Sequence, residues 1–152
     1  MSRLLGAHHT GFTVSDIERS IVFYLDTLGM TLVSRQEGQP PYLAVVTGFP
    51  NVYLKTAFLN ATPDSEHVLE LLEYTSHPAL ATPRETNRPG NAHLCLRVND
   101  IHALYQELSA QGVHFISPPE PITSGVNSGA IACYFRDPDG FTLELVQRPP
   151  GS

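Results

Sequence analysis

An internal repeat is the feature of this chain that most constrains its fold. Residues 9–17 and residues 93–101 both read His-x4-Val-[Ser/Asn]-Asp-Ile. Each copy later contains one Leu-Glu-Leu triplet, at 69–71 in the first and at 143–145 in the second. Chance can supply any one of these matches, but it rarely supplies all of them in the same order. The repeat therefore predicts two copies of one structural unit.

Within each copy, the sequence pattern predicts a strand, a helix and further strands. Apolar residues alternate after each repeated histidine, which favours half-buried strands at about 9–14 and 92–98. Helical spacing follows in both copies, the first helix opening on the capping-box pattern Ser15-x-x-Glu18, and both helices end at glycines, Gly29 and Gly112. The further extended segments are predicted at 30–36, 42–47, 52–59 and 66–74 in the first copy, and at 113–117, 129–135 and 141–147 in the second.

These elements predict an α+β fold made of two tandem βαβββ modules. The modules cover residues 7–74 and 92–147, within one domain that takes in residues 1–152. The stretch 75–91 carries three prolines and a glycine and is interpreted as the linker between them. The first copy has one extended segment more than the second, so one of its segments is expected to be an irregular loop.

Composition excludes several other classes of protein. Of the 152 residues 41% are hydrophobic, and the formal net charge is −6 without a basic cluster, so neither nucleic acid nor an anionic membrane surface is an expected partner. No run of apolar residues is long enough to span a bilayer, and the first residues lack the layout of a signal peptide. Both observations favour a cytoplasmic location. The two cysteines, Cys95 and Cys133, are expected to be buried free thiols, although a disulfide remains an alternative.

The repeat also predicts a metal site. In each module the histidine alternates with apolar strand residues and the glutamate lies between two core leucines, so both should lie on the sheet face opposite the helix. A carboxylate in mid-strand is costly to bury unless it is paired or bound to a metal. An approximate two-fold axis would bring together His9, Glu70, His93 and Glu144, a donor set that suits Zn, Fe, Mn, Co or Ni. Glu73 is an alternative to Glu70, but the two should lie on opposite faces of their strand.

The pattern resembles the vicinal oxygen chelate superfamily, which includes glyoxalase I, epimerases, extradiol dioxygenases and antibiotic resistance proteins. The resemblance covers nearly the whole chain and rests on residues 9–16 with Phe23-Tyr24 and Leu28-Gly29, on His93 with Val98-x-Asp100, and on Asp137-Pro-Asp-Gly leading to Glu144. It implies a cupped, partly closed mixed sheet with pseudo-two-fold symmetry around the site. It also implies that the four repeated residues bind one divalent metal ion, with zinc as the first choice, and that the protein is a homodimer.

By the same resemblance, the expected function is that of a metal-dependent epimerase, isomerase or glyoxalase-like lyase. The metal would polarise a substrate carbonyl, and Glu144 or Glu70 would remove and return the proton on the neighbouring carbon through an enolate or enediolate. Candidate substrates are an acyl-CoA, a keto-sugar or cyclitol, and a hemithioacetal. A dioxygenase is less favoured, since dioxygenases of this kind use one carboxylate and longer chains.

Two further functions remain as alternatives. One is a binding or antibiotic resistance protein without turnover, and the other is a metal-dependent thiol transferase, which would need more basic residues in its cup. In either case the ligand is a small molecule. The side chains that could line its cup are Tyr53, Lys55, Phe58, Arg97 and Tyr134.

Overall fold

The structure is a computed structural model that describes residues 3–151, and it contains two four-stranded mixed sheets with few helices. The described residues fall into two compact units, which divide between Ala81 and Thr82. The first unit contains β1 (His9–Thr13), α1 (Ile17–Val22), β2 (Thr31–Gly38), α2 (Pro41–Thr47), β3 (Leu54–Asn60) and β4 (Val68–Tyr74). The second unit contains β5 (His93–Arg97), α3 (Ile101–Ala110), β6 (Glu120–Pro121), β7 (Ile131–Arg136) and β8 (Thr142–Gln147).

The two sheets have the same topology. Their strand orders are β1-β4-β3-β2 and β5-β8-β7-β6, so the first and last strands of each unit are neighbours. These neighbours run parallel, and the other pairs are antiparallel. The α+β class and the tandem βαβββ plan are confirmed, although the sheets are two open ones rather than one partly closed sheet. The interpretation of residues 75–91 as a linker stays a prediction.

The aspartate of the repeated motif begins each helix. Asp16 accepts hydrogen bonds from the backbone N–H groups of Glu18 and Arg19, and Asp100 accepts one from that of Ala103. The predicted capping role of Ser15 is therefore wrong, because Asp16 occupies that position. After α1 the helix continues as a π-helical turn from Phe23 to Thr27.

One segment that was expected to be extended is a helix. Residues 42–47 lie in α2, which begins with Pro41 at its first position and ends at Gly48 with a φ of 78°. The valines of this segment suggested a strand, but a proline at the first turn and a left-handed glycine after the last are the usual limits of a helix.

The strand that was expected at 113–117 is reduced to a single bridge. Phe115 pairs with Phe135 there, and the fourth strand forms instead at β6, where Glu120 pairs with Ala132. Three prolines, at positions 118, 119 and 121, limit regular pairing at this edge, because proline lacks the N–H that a strand ladder requires.

The core of each unit lies on the helix-bearing face of its sheet. Its largest fully buried side chains include Tyr24, Ile17 and Leu71 in the first unit, and Phe135, Ile101 and Leu145 in the second. Cys133 is buried and free, as expected, whereas Cys95 is free but exposed because it lies on the opposite face of β5. Among the described residues, none of the helices has the length and hydropathy of a membrane span.

Candidate metal centre

The first half of the candidate site is a histidine–glutamate pair on neighbouring parallel strands. His9 begins β1 and Glu70 lies in the middle of β4, and His9 Nε2 is 3.1 Å from Glu70 Oε2. The leucines on either side of Glu70, Leu69 and Leu71, are buried on the other face. Strand alternation therefore holds Glu70 on the open face of the sheet, where its side chain is only 16% exposed.

The second unit contains the same arrangement. His93 begins β5 and Glu144 lies in the middle of β8, with His93 Nε2 again 3.1 Å from Glu144 Oε2. Leu143 and Leu145 are buried on the opposite face, as the equivalent leucines are in the first unit. The structure thus places His9 beside Glu70 and His93 beside Glu144, and the role of these four residues as metal ligands stays a prediction.

An aromatic ring lies beside each pair. Phe58 of β3 is the strand partner of Glu70, and its ring centroid is 6.2 Å from that of His9. Tyr134 of β7 is the strand partner of Glu144, and its ring centroid is 5.2 Å from that of His93. Two of the five side chains predicted to line the cup therefore lie at equivalent positions next to the pairs.

The other three predicted lining residues have different surroundings. Arg97 is exposed and shares a strand face with His93, from which it is four residues along β5. Lys55 lies on the helix-bearing face, where its Nζ is 3.4 Å from Glu73 Oε1. Tyr53 precedes β3, and its backbone binds Ser76 and Thr75. Lys55 is placed away from the pairs because it is separated from Phe58 by an odd number of strand positions.

His8 contacts the first pair, a contact that the repeated motif did not predict. Its Nδ1 is 2.8 Å from Nδ1 of His9, so the two ring nitrogens of His9 have different partners. A hydrogen bond at one ring nitrogen fixes which tautomer a histidine adopts and thereby leaves the other nitrogen available to a metal. The signal that was available in the sequence is the doubling of the histidine at the start of the first copy, where the second copy has Ala92.

Glu73, the alternative to Glu70, has a structural contact instead. Its Oε2 accepts a hydrogen bond from the backbone N–H of Ile17, the first residue of α1, at 3.0 Å. Gln147 occupies the equivalent position in the second unit, where its Oε1 accepts from the N–H of Ile101 at 2.7 Å. In both units, therefore, the last strand fixes the start of the helix through a side-chain oxygen.

This role predicts different effects for two substitutions of Glu73. Glu73→Ala should lower the free energy of unfolding by about 1–3 kcal/mol, since the N–H of Ile17 loses a buried partner. Glu73→Gln should cost less than about 1 kcal/mol, because the amide keeps an acceptor oxygen, as Gln147 does, and only the weak ion pair with Lys55 is lost. Urea denaturation of both variants measures the difference. Equal losses of unfolding free energy in the two variants would show that the charge of Glu73 contributes more to stability than its hydrogen bond.

The surroundings of Glu144 disfavour ionisation of the neighbouring thiols and phenol. Loss of solvation, the charge of Glu144 and hydrogen bonding to it raise the pKa of the Cys95 thiol to about 12. Burial, followed by the charge of Glu144, raises the pKa of Cys133 to about 11. The same two causes, in that order, raise the pKa of the Tyr134 phenol. These groups stay neutral at physiological pH, which leaves the Glu144 carboxylate as a local centre of negative charge that favours a cation.

The distance between the two donor atoms of each pair is compatible with both atoms binding the same metal ion. Donor atoms that are each about 2.1 Å from one ion lie roughly 3.0 Å apart at an octahedral angle and roughly 3.4 Å apart at a tetrahedral one. The Nε2–Oε2 separation of 3.1 Å in both pairs lies within this interval. Between residues 3 and 151, no three or more His, Cys, Asp or Glu side chains are grouped closely enough to hold a metal. Each unit contains one histidine–glutamate pair, and metal binding by the two pairs stays a prediction.

Comparison with known proteins agrees with this plan. The model of the glyoxalase/bleomycin resistance protein/dioxygenase superfamily matches residues 6–145, nearly the whole chain. The chain belongs to this superfamily. The family assignment that was expected from the repeated motif is thereby confirmed.

Relatives within the superfamily carry two kinds of name. The chain is 27% identical over 145 residues to lactoylglutathione lyase GLX1 of Arabidopsis thaliana, covering 93% of this chain but 44% of that protein. It is 28% identical over 152 residues to the 2-epi-5-epi-valiolone epimerase of an Actinomyces species, covering 97% of this chain and 82% of that protein. The chain thus spans less than half the length of the plant relative.

A solved structure shows the same fold. A glyoxalase family protein from Bacillus cereus superposes with a TM-score of 0.81 at 21% identity, covering 97% of this chain and 96% of the other. At this identity the likeness concerns the fold rather than the reaction.

Proposed function

We propose that this protein is a divalent-metal-dependent enzyme that moves a proton on the carbon next to a substrate carbonyl. The observation that carries the proposal is the presence of two equivalent histidine–glutamate pairs with the same 3.1 Å donor separation. Two such pairs together supply two imidazoles and two carboxylates, and this set leaves coordination positions for water or substrate. Zinc is the first choice among Zn, Mn, Co, Ni and Fe.

In this proposal His9, Glu70, His93 and Glu144 hold the ion. When bound, a divalent ion supplies a Lewis acid that polarises the carbonyl and makes the neighbouring C–H bond more acidic. One of the two carboxylates takes this proton as a general base and returns it as a general acid. Phe58 and Tyr134 give the substrate a partly apolar surround, and Arg97 offers a positive charge on the face of the second pair.

The position to which the proton returns decides the reaction. Return to the other face of the same carbon gives an epimerase, and return to the adjacent carbon gives an isomerase or a lyase of the glyoxalase kind. A relative named as a lyase and a relative named as an epimerase support both outcomes. The candidate substrates are a hemithioacetal, a keto-sugar or cyclitol, and an acyl-CoA.

The two pairs must meet for the donor set to be complete. We propose that the protein acts as a homodimer, in which the pairs combine either within one chain or between two chains. This part of the proposal rests on the family and on the division of the donors between the two units.

Elemental analysis of the purified protein is the first test. We expect about one transition metal ion per chain in the wild type. This metal should be lost in both His9→Ala and Glu144→Ala. His102→Ala is the matched control, since this histidine is exposed on α3 and should leave the metal content unchanged. If no metal binds, even after reconstitution with Zn, Mn, Co, Ni and Fe, the enzyme proposal fails and a ligand-binding member of the superfamily takes its place.

The reaction is tested next in heavy water. The metal-loaded protein should catalyse exchange of deuterium into the carbon next to the carbonyl of at least one candidate, measured by NMR or mass spectrometry. The candidates are the hemithioacetal of methylglyoxal, a keto-inositol and a chiral acyl-CoA. A metal-loaded protein that exchanges no proton from any of them would contradict the proposed reaction.

A further inference from the structure

The two sheets differ at their outer edges. β2 is the edge strand of the first sheet, is eight residues long and is exposed along nearly its whole length. Between residues 3 and 151, no strand pairs with the outer side of β2. β6, the edge strand of the second sheet, has two residues, one of which is Pro121. A long edge strand without proline is open to pairing with another chain, whereas a short strand with proline is protected from it.

The charges of β2 fit the pairing of this strand with itself. Arg35 and Glu37 lie on the helix-bearing face, two positions apart. In an antiparallel pair related by a two-fold axis at Gln36, Arg35 of each copy lies opposite Glu37 of the other. A shift of the axis by one residue would place two Arg35 or two Glu37 side chains opposite each other, and like charges in that position are destabilising. The charge pattern therefore favours one partner, a second copy of this chain, and one register.

Arg35 has donors left for this contact. Its Nη1 and Nη2 donate to the carboxylate of Glu18 on α1. A guanidinium carries five N–H groups, so a second carboxylate can bind beside the first. Glu37 is exposed, and its strand partner Lys55 has its Nζ beside Glu73. Both charged side chains of β2 are thus available at the outer edge of the sheet.

Exposed apolar side chains continue this surface beyond the strand. β2 ends at Gly38, and α2 begins at Pro41. The exposed apolar residues in α2 and just after it recur at helical spacing, and they are Tyr42, Val45, Val46 and Phe49. Leu32 and Val33 are exposed on the first half of β2. Because antiparallel pairing reverses the direction of the second copy, its α2 begins near these two residues, and apolar burial there would add to the hydrogen bonds between the strands.

We propose that β2 is the contact surface between two copies of this chain, paired antiparallel about a two-fold axis at Gln36. Residues 34–38 of each copy form the pairing, and the two first sheets join into one sheet of eight strands. The two copies of Glu70 then lie five strands apart, about 24 Å at roughly 4.8 Å per strand, so they do not share one metal ion. This inference specifies the homodimer and rests on that part of the proposed function, but not on the metal or the reaction.

A cysteine at the axis tests the register. In Gln36→Cys the two thiols face each other across strands whose Cα atoms are about 4.5–5.5 Å apart, a separation that a disulfide spans. Ser34→Cys is the matched control, since Ser34 is exposed on the same strand face but its two copies would lie about 14 Å apart. Both variants also carry Cys95→Ser, which removes the exposed native thiol. After mild oxidation, non-reducing electrophoresis should show a covalent dimer for Gln36→Cys and none for Ser34→Cys.

Charge reversal tests the ion pairs. Glu37→Arg places like charges opposite each other in both symmetric contacts and should raise the dissociation constant of the dimer about tenfold at low salt. Adding Arg35→Glu restores opposite charges and should return the constant to within about threefold of the wild-type value. Glu120→Arg, at an exposed position of β6, is the control and should leave the constant unchanged. Sedimentation velocity measures each constant, and a constant that Glu37→Arg leaves unchanged would contradict the proposed register.

The outcomes separate this interface from the proposed function. A wild-type dimer with no cross-link at position 36, or with equal cross-linking at positions 34 and 36, would overturn the β2 interface and leave the homodimer standing. A wild type that is monomeric at all concentrations would overturn both the interface and the homodimer. The metal content and the exchange reaction are measured independently of either result.

Discussion

Replacing Phe135 by alanine is expected to remove about 3–5 kcal/mol from the free energy of unfolding. Its side chain is fully buried, and its ring lies 5.2 Å from that of Phe115, which in turn lies 4.7 Å from the ring of Tyr105. The aromatic stack thus joins β7 to α3 and to the irregular segment that precedes β6. Because a domain of this size is stable by only about 5–15 kcal/mol, the second unit should be largely lost at moderate urea concentrations.

Urea denaturation followed by circular dichroism measures this loss. Val126→Ala is the control, since Val126 is a fully exposed apolar side chain in the same unit and its removal should change stability by less than about 0.5 kcal/mol. A loss below about 1 kcal/mol for Phe135→Ala would mean that the stack is not packed as the structure describes it.

Replacing His93 by alanine is expected to lower the turnover of the metal-supplemented protein about a thousandfold. The loss corresponds to about 4 kcal/mol of transition-state stabilisation, the scale on which a metal Lewis acid contributes. Stability should hardly change, because the side chain of His93 is 44% exposed. The exchange assay in heavy water and thermal unfolding measure the two quantities separately.

Imidazole in solution should restore part of the lost turnover. The exposure of His93 leaves a path by which free imidazole can enter the gap and provide the missing nitrogen. His114→Ala, at an exposed position of the same unit, should behave as wild type with and without imidazole. An inactive His93→Ala variant with undiminished metal content and no response to imidazole would show that His93 acts on the substrate and does not bind the metal.

The repeat made the two sheets and their helices predictable, because strand alternation and helical spacing are local patterns. Both histidine–glutamate pairs could be placed on one face by the same alternation, which also separated Glu70 from Glu73. Residues 42–47 could not be assigned correctly, since the preference of valine for strands competes with the helix limits that Pro41 and Gly48 impose. The edge at 113–121 was missed because its pairing depends on β7, far along the chain.

The finer features of the site depend on register, which the sequence pattern alone does not determine. That Gly11 faces Glu70 and Cys95 faces Glu144 follows only once β1 and β5 are aligned with β4 and β8. The placement of Lys55 on the helix-bearing face follows from alternation along β3, but its contact with Glu73 needed the pairing of β3 with β4.

The parallel pairing of the first and last strands also affects how each unit folds. His9 lies in the first strand of its unit and Glu70 in the last, so nearly the whole length of the unit separates them along the chain. The same holds for His93 and Glu144. Closing such long loops delays these contacts relative to the local hairpins β3–β4 and β7–β8. Each histidine–glutamate pair is therefore assembled late in folding, after the final strand of its unit has been synthesised.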